Sequence, residues 1–457
     1  MGVLLVSTYD LGRQPFGLAS PAAWLRRVGV EVDCADVSRE PLEDARISAA
    51  SVVAFYLPMH TATRLAGPLI DRVRQLNPAA RLCAYGLYAP LNAEWLQTRG
   101  VTHVLGPEAE QALVDLVKGR SPEPDSQSLK PEARGLPRLE FIQPDRAGLP
   151  PLERYASLRM PDGSRRTIGS TDATRGCKHL CRHCPIVPVY QGQFRVIPVD
   201  VVLDDIRAQV DGGAQHISFG DPDFLNGPAH ARRLVQAFSE EFSGISYDVT
   251  IKIEHLLKHG DMLPLLRDTG CLFVTSAVES VDDRVLEQLR KGHTRDDFVR
   301  AVASCRQAGL TLAPTFVAFT PWTTLDGYVD LLDVLEGLDV VEQVAPVQLA
   351  IRLLVTADSP LLELEDVRRH VTAFDPGSLT WPWQHGDRRV DELQADVMRL
   401  VIDGASQSRG EVFGRIAALA RERAGLAPVM SSTARVRTPV PYVSEPWYCC
   451  AEPMEIF

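Results

Sequence analysis

The chain has no run of ~18 or more apolar residues, the length a spanning helix requires, so a membrane protein is not expected. A basic surplus is also missing. Its 48 Lys and Arg face 59 Asp and Glu for a net charge of −11, which removes the electrostatic footprint of a nucleic-acid binder. Nine cysteines in 457 residues are too few, and odd in number, for a disulfide scaffold. Lysine is scarce, six against 42 arginines, a bias that genomic base composition accounts for. The first residues lack the basic start and small-residue cleavage site of an export signal. Gly2 is not followed by the Ser or Thr of a myristoylation motif, because Val6 stands there. These readings lead us to expect a cytoplasmic protein with reduced thiols and no nucleic-acid or membrane partner.

Hydrophobic residues make up 45% of the chain and charged residues 23%, ordinary globular values. The length corresponds to about three domains at ~150 residues each. Residues 1–120 alternate short β-branched runs (3–6, 30–34, 51–55, 81–86, 101–106) with helical patterns (20–29, 61–75, 108–118). That rhythm predicts a doubly wound, Rossmann-like parallel sheet. Residues 121–165 read as a linker or wrapping segment, with prolines at 122, 124, 131, 137 and 144. Strand and helix patterns resume over 166–360, with strands expected at 216–219, 246–253, 272–277, 311–318 and 346–354. At least five repeats predict a central partial (βα)6 barrel of TIM type. Residues 361–457 read as a helical C-terminal region to about 424, then an irregular tail. The fold class is therefore α/β.

The chemistry is concentrated in Thr174-Arg175-Gly176-Cys177-Lys178-His179-Leu180-Cys181-Arg182-His183-Cys184-Pro185. Three thiols within eight residues converge only if the backbone loops around a common centre, which an iron–sulfur cluster accepts. A zinc site with His179 or His183 as fourth ligand remains an alternative, although zinc knuckles usually come as two separated Cys-x2-Cys pairs. With three protein ligands, a 4Fe–4S cluster keeps one iron open to a small molecule.

This Cys-x3-Cys-x2-Cys run just after a first barrel strand resembles the radical S-adenosylmethionine (SAM) enzymes, and the resemblance spans about 166–360. It implies a 4Fe–4S cluster on Cys177, Cys181 and Cys184, with SAM chelating the open iron. It also implies reductive cleavage of SAM, ordinarily to methionine and a 5′-deoxyadenosyl radical. The run Ile217-Ser218-Phe219-Gly220-Asp221-Pro222-Asp223-Phe224 resembles the family's strand that holds the SAM ammonium. That makes Asp221 the first candidate and Asp223 the second, with a helix N-cap as the structural alternative. Ser276-Ala277-Val278-Glu279-Ser280 and Lys291-Gly292-His293-Thr294 resemble further family motifs, with Ala277 where Gly is usual. They make Glu279 a contact to SAM or to a nearby Lys or Arg. Arg352 is a candidate for the SAM carboxylate, a surface or structural ion pair being the alternative.

The N-terminal domain resembles the cobalamin-binding domain found ahead of some radical SAM barrels. The usual Asp-x-His-x-x-Gly cobalt-ligand motif is missing, and Tyr9-Asp10-Leu11-Gly12-Arg13-Gln14 stands in its place. Cobalamin and a vestigial or substrate-binding domain both stay open. The ending Cys449-Cys450-Ala451-Glu452-Pro453 resembles the tail of the CUAEP/CCAEP-tail radical SAM family, some members of which carry selenocysteine at the position of Cys450. This implies a reactive role for Cys449 and Cys450. The resemblance implies an enzyme acting on a small-molecule substrate, with an external electron donor of flavodoxin or ferredoxin type. A runner-up is transfer of the 3-amino-3-carboxypropyl group of SAM to a soft arsenic or selenium acceptor held by the tail thiols. A non-catalytic zinc or iron–sulfur carrier is the reading of a different class.

Overall fold

The computed structural model describes residues 2–120, 139–427 and 439–445. The N-terminal sheet contains β1 (Gly2–Ser7), β2 (Glu31–Asp36), β3 (Ala50–Tyr56), β4 (Arg81–Tyr85) and β5 (His103–Val104). All pairs are parallel, in the order β2-β1-β3-β4-β5. The strands read as continuous apolar runs because both faces are covered. Leu4, Val6, Val53 and Phe55 enter one core, and Val3, Leu5, Val52 and Ala54 enter the other. The order reverses at β1, so a crevice opens beyond the C-terminal ends of β1 and β3.

The second sheet adds β6 (Ser157–Arg159), β7 (Arg165–Thr171), β10 (His216–Phe219), β11 (Ser246–Thr250), β12 (Cys271–Glu279), β13 (Thr311–Phe316) and β14 (Tyr442–Val443). A separate ribbon pairs β8 (Thr174–Gly176) with β9 (Phe194–Val196). The sheet order is β13-β12-β11-β10-β7-β6-β14, with β7 to β13 parallel and β6 and β14 antiparallel at one edge. Ile217, Phe219, Tyr247, Val249, Val274 and Leu312 join the main core under the surrounding helices. This is a half-barrel, open on the face opposite that core.

Several boundaries differ from the sequence expectation, each for a local reason. The first helix starts at Phe16 rather than 20 and runs to Arg27 with Pro21 inside it. Pro21 has no N–H for the Gly17 carbonyl. That carbonyl instead accepts the Tyr85 hydroxyl at 2.8 Å. The strand expected at 346–354 does not form. Pro346–Leu349 is a short 3-10 turn, followed by a single bridge between Phe319 and Arg352. The Gln348 side-chain oxygen accepts the Phe316 N–H at 3.1 Å, doing what a strand carbonyl would have done. The barrel therefore has five regular parallel strands and a bridged sixth segment. The expected helical region contains helices at Glu365–His370, Arg388–Asp403 and Arg409–Arg423. Part of the tail, expected to be irregular, returns as β14 along β6. No helix among the described residues is long and apolar enough to cross a membrane.

Candidate active site

The cysteine loop leaves β8 at Gly176, whose φ is +79°. A Cβ there would lie 2.5 Å from the Tyr190 ring and 2.6 Å from the Gln193 carbonyl, so the turn into the loop accepts only glycine. The loop is tied down where the Arg182 N–H donates to the Leu289 carbonyl at 2.9 Å and the Cys184 N–H to the Cys181 carbonyl at 3.1 Å. None of Cys177, Cys181 and Cys184 is in a disulfide. Burial pushes the Cys177 thiol up to about 12, and the other two sulfurs add to the effect. A thiol in that state becomes a thiolate only when a cation joins it.

All three cysteines line one cavity of about 290 Å³. Asp172, Gly220, Asp221 and Pro222, from the C-terminal ends of β7 and β10, share the barrel side of this cavity with Ala277, Lys252 and Lys291. The opposite wall is N-terminal: Asp10, Leu11 and Arg13 follow β1, while Tyr56, Pro58 and Met59 follow β3. Thus the crevice of the first sheet faces the mouth of the second.

Asp221 opens onto the cavity. Its carboxylate accepts the Ala173 N–H at 2.9 Å and the Thr174 hydroxyl at 2.5 Å. Burial, helped by the charge of Asp172, pushes it up to about 7. Asp10 is likewise pushed up to about 7 by burial, against the pull of Arg13. Asp172 also rises, through burial, with Arg175 and Arg13 opposing. Gly220 allows Asp172 its position, since a Cβ would lie 2.3 Å from the carboxylate.

Asp223 stands apart from the cavity wall and is fully buried. One oxygen meets His179 Nε2 at 3.1 Å and His255 Nδ1 at 2.6 Å, and the other caps a 3-10 turn through the Leu225 N–H at 3.2 Å. Burial opposes ionisation here, but hydrogen bonds from the two imidazoles prevail and hold Asp223 at about 2. Its position makes it a clamp on His179 of the cysteine loop, and the N-cap alternative is also realised.

Glu279 is similarly turned toward protein partners. It is 1% exposed, with φ of +70° at a bulge where β12 slips against β13. His183 Nε2 lies 3.2 Å and Lys291 Nζ 3.3 Å from its Oε1. Burial works against its charge, yet Lys291 and then His183 hold the carboxyl below its usual range. Arg352 lies outside the cavity lining. Its guanidinium donates to Asp391 at 2.7 Å and the Trp383 carbonyl at 2.9 Å, and sits 3.9 Å from the Trp383 ring centre. His60, at the first sheet's edge, is bonded to the Ser378 carbonyl at 2.7 Å. Cys449 and Cys450 lie outside the described residues.

Sequence reasoning missed Asp10, Asp172 and Lys252 as wall residues. The available signal was their position: each follows the C-terminal end of a parallel strand, where such sheets place their functional groups.

The Radical SAM superfamily model matches residues 172–333. A tRNA-2-methylthio-N(6)-dimethylallyladenosine synthase of Chlorobium phaeovibrioides is 28% identical over 194 residues, 39% of this chain and 40% of that protein. A bacteriochlorophyllide d C-12(1)-methyltransferase of Chlorobaculum tepidum is 28% identical over 135 residues, 29% of each chain. The chain thus spans well under half the length of these curated relatives. Among solved structures, the cobalamin-dependent SAM radical enzyme OxsB with aqua-cobalamin bound matches with a TM-score of 0.68 and 14% identity, over 88% of this chain and 67% of that one. The radical SAM methyltransferase TsrM from Kitasatospora setae matches with a TM-score of 0.59 and 18% identity, over 74% and 71%. These two likenesses establish the arrangement of a parallel domain ahead of a half-barrel. The superfamily works with a 4Fe–4S cluster and SAM, and three cysteine thiols on one cavity fit that requirement. Residues 172–333 are thus a Radical SAM domain.

Proposed function

We propose that this protein cleaves SAM reductively at the cavity between its two sheets and modifies a small molecule there, in the cytoplasm, with electrons from a flavodoxin- or ferredoxin-type donor. The observation that carries this reading is the convergence of Cys177, Cys181, Cys184 and Asp221 on one cavity. Cys177, Cys181 and Cys184 would hold the cluster. When bound, the cluster supplies the electron that breaks a carbon–sulfur bond of SAM. The chain's own residues do the positioning. Asp221, as a carboxylate, takes the SAM ammonium. Lys252 and Lys291 line the same cavity and offer positive charge to a carboxylate. Asp223 and Glu279 work through His179 and His183, fixing the cysteine loop from both sides.

The N-terminal wall of Tyr56, Pro58, Met59, Leu87 and Tyr88 is largely apolar. It would suit a flat cofactor such as the cobalamin bound in OxsB, while His60 Nε2 is engaged with the Ser378 carbonyl. The tail supports participation by Cys449 and Cys450. Glu445 is anchored beside Gly12 by Arg39 at 3.0 Å, next to the Leu11 and Arg13 wall. Cys449 and Cys450 follow four and five residues later in the sequence. Aminocarboxypropyl transfer to a soft acceptor held by Cys449 and Cys450 is the second reading.

Anaerobic reconstitution followed by mass spectrometry of the SAM fragments tests this. Methionine with 5′-deoxyadenosine is expected for the first reading, and 5′-methylthioadenosine for the second. Unaltered cluster content and SAM cleavage in Cys181→Ala would refute both.

A further inference from the structure

The concave face of the half-barrel carries a row of polar side chains beside Phe273 and Ala313, where closed barrels are ordinarily filled with branched apolar side chains. Ser218 of β10, Asp248 and Thr250 of β11, Thr275 of β12 and Thr315 of β13 stand on it. Ser218 pairs across strands with Asp248, and Thr250 with Thr275. Their neighbours Phe219, Val249 and Val274 turn outward into the core. A one-residue alternation along these strands thus turns the polar groups inward, beside Phe273 and Ala313, and an apolar face outward. These residues enclose a second pocket of about 80 Å³, which shares Leu11 and Arg13 with the cofactor cavity. The returning tail, from Val440 to Val443 with Glu445, closes its other side.

The pocket's polar groups are incompletely satisfied by the protein. Arg13 and Arg409 both line it, and neither has a carboxylate within 4 Å among the described residues. Arg409 rests on the Tyr442 ring at 4.1 Å and donates to the Glu342 carbonyl at 2.6 Å, which leaves its positive charge unpaired. The Arg13 guanidinium reaches the Ser218 hydroxyl at 3.5 Å, and the nearby Asp10 and Asp172 carboxylates feel its charge without touching it. Asp248 accepts from His216 and Ser218 through Oδ1 alone, so Oδ2 receives no hydrogen bond from a described residue. Thr315 is 7% exposed and its hydroxyl has no partner among the described residues. Unpaired oxygens on a buried wall are costly unless a ligand completes them, and two half-buried guanidinium groups with no carboxylate in contact stand beside them.

We propose that this pocket binds the substrate, and that the substrate is a carboxylate of amino-acid size carrying a hydrogen-bond donor. Its carboxylate lies against Arg13 and Arg409, where two guanidinium groups match an anion. Its donor group faces Asp248 Oδ2 and Thr315. The shared Arg13 wall places its remaining atoms toward the cofactor cavity. This assignment rests on the radical SAM reading above.

The test is ligand-observed saturation-transfer NMR on the full-length, anaerobically reconstituted protein. The probes are L-alanine, L-serine and lactate, each beside its carboxamide. Saturable binding of at least one acid is expected, with its amide weaker by ~10-fold or more. Arg409→Gln should weaken the acid to a similar degree. Because Arg409 also holds the Glu342 carbonyl, Thr315→Val serves as a second variant that removes one wall oxygen, with a several-fold loss expected. Equal binding of acid and amide, unchanged affinity in both variants, or no saturable binding of any probe would overturn the assignment. Iron content and absorbance near ~400 nm are recorded on the same samples. Cluster-loaded protein that ignores the acids refutes the pocket alone. Protein that binds them selectively without forming a cluster upholds the pocket and refutes the radical SAM reading.

Discussion

Replacing Lys291 by methionine isolates the electrostatics that hold the cysteine loop. Lys291 is 3% exposed and its ammonium lies 3.3 Å from Glu279, which is 1% exposed. Methionine keeps much of the apolar stem and removes the charge. Glu279 then stays buried with only His183 for support. Breaking a buried pair by deleting one partner costs about 3–5 kcal/mol, because the remaining charge is left uncompensated. A domain of this size shifts by about 2–4 °C per kcal/mol, so the cluster-free protein should melt roughly 6–20 °C lower. The pH dependence has a definite sign. In the parent, Glu279 is held below its usual range, so its contribution is present above about 4.3 and lost as pH falls through the lower folded value. Without Lys291 burial dominates and the carboxyl rises, so the defect should be smallest in acid and grow with pH. Glu279→Gln placed on top of Lys291→Met should recover much of the loss. Thermal melts between pH 5 and 8 decide the matter. A shift under about 2 °C, or a double variant no better than the single one, would show that this pair does not hold the loop.

Gly176→Ala should cost about 2 kcal/mol or more, since the new Cβ meets the Tyr190 ring and the Gln193 carbonyl at a positive φ. Iron loading should fall with it, and full loading at an unchanged melting temperature would contradict the close approach. Because burial raises Asp221 to about 7, SAM should bind more tightly as pH rises from 6 to 8, where the carboxylate forms. Asp221→Asn should flatten that profile, and calorimetry of SAM binding reads it. Arg352→Ala should lower the melting temperature by removing the Asp391 pair and the Trp383 stack while leaving SAM affinity unchanged. A large loss of affinity would restore Arg352 as a SAM ligand.

How much of the site was readable depended on the range of the interactions involved. The three cysteines lie within eight residues, and any loop that closes around them brings them together. The two parallel sheets announced themselves through apolar runs and helical spacing, since hydrophobic burial imposes a period of two on strands and about 3.6 on helices. Boundaries were less readable where side chains replace backbone partners. Gln348 standing in for a strand carbonyl leaves no mark on periodicity, and neither does the Tyr85 hydroxyl that rescues Gly17. β14 was missed because two residues pairing with β6, almost 300 positions earlier, form no local pattern.

The carboxylates make the division sharpest. Residue order alone put Asp221 and Asp223 at the end of one strand and Glu279 at the end of another, and so marked the barrel mouth as the place of chemistry. Which of them faces the cavity was settled by packing. Asp223 is drawn away by His179 and His255, 44 and 32 positions distant, and Glu279 by His183 and Lys291. Arg352 finds Asp391 and Trp383 instead of the cavity. Local spacing encodes short-range geometry such as the cysteine loop. The partner of a buried charge is chosen by whatever the folded chain brings within hydrogen-bond distance, and that depends on every element packed around it.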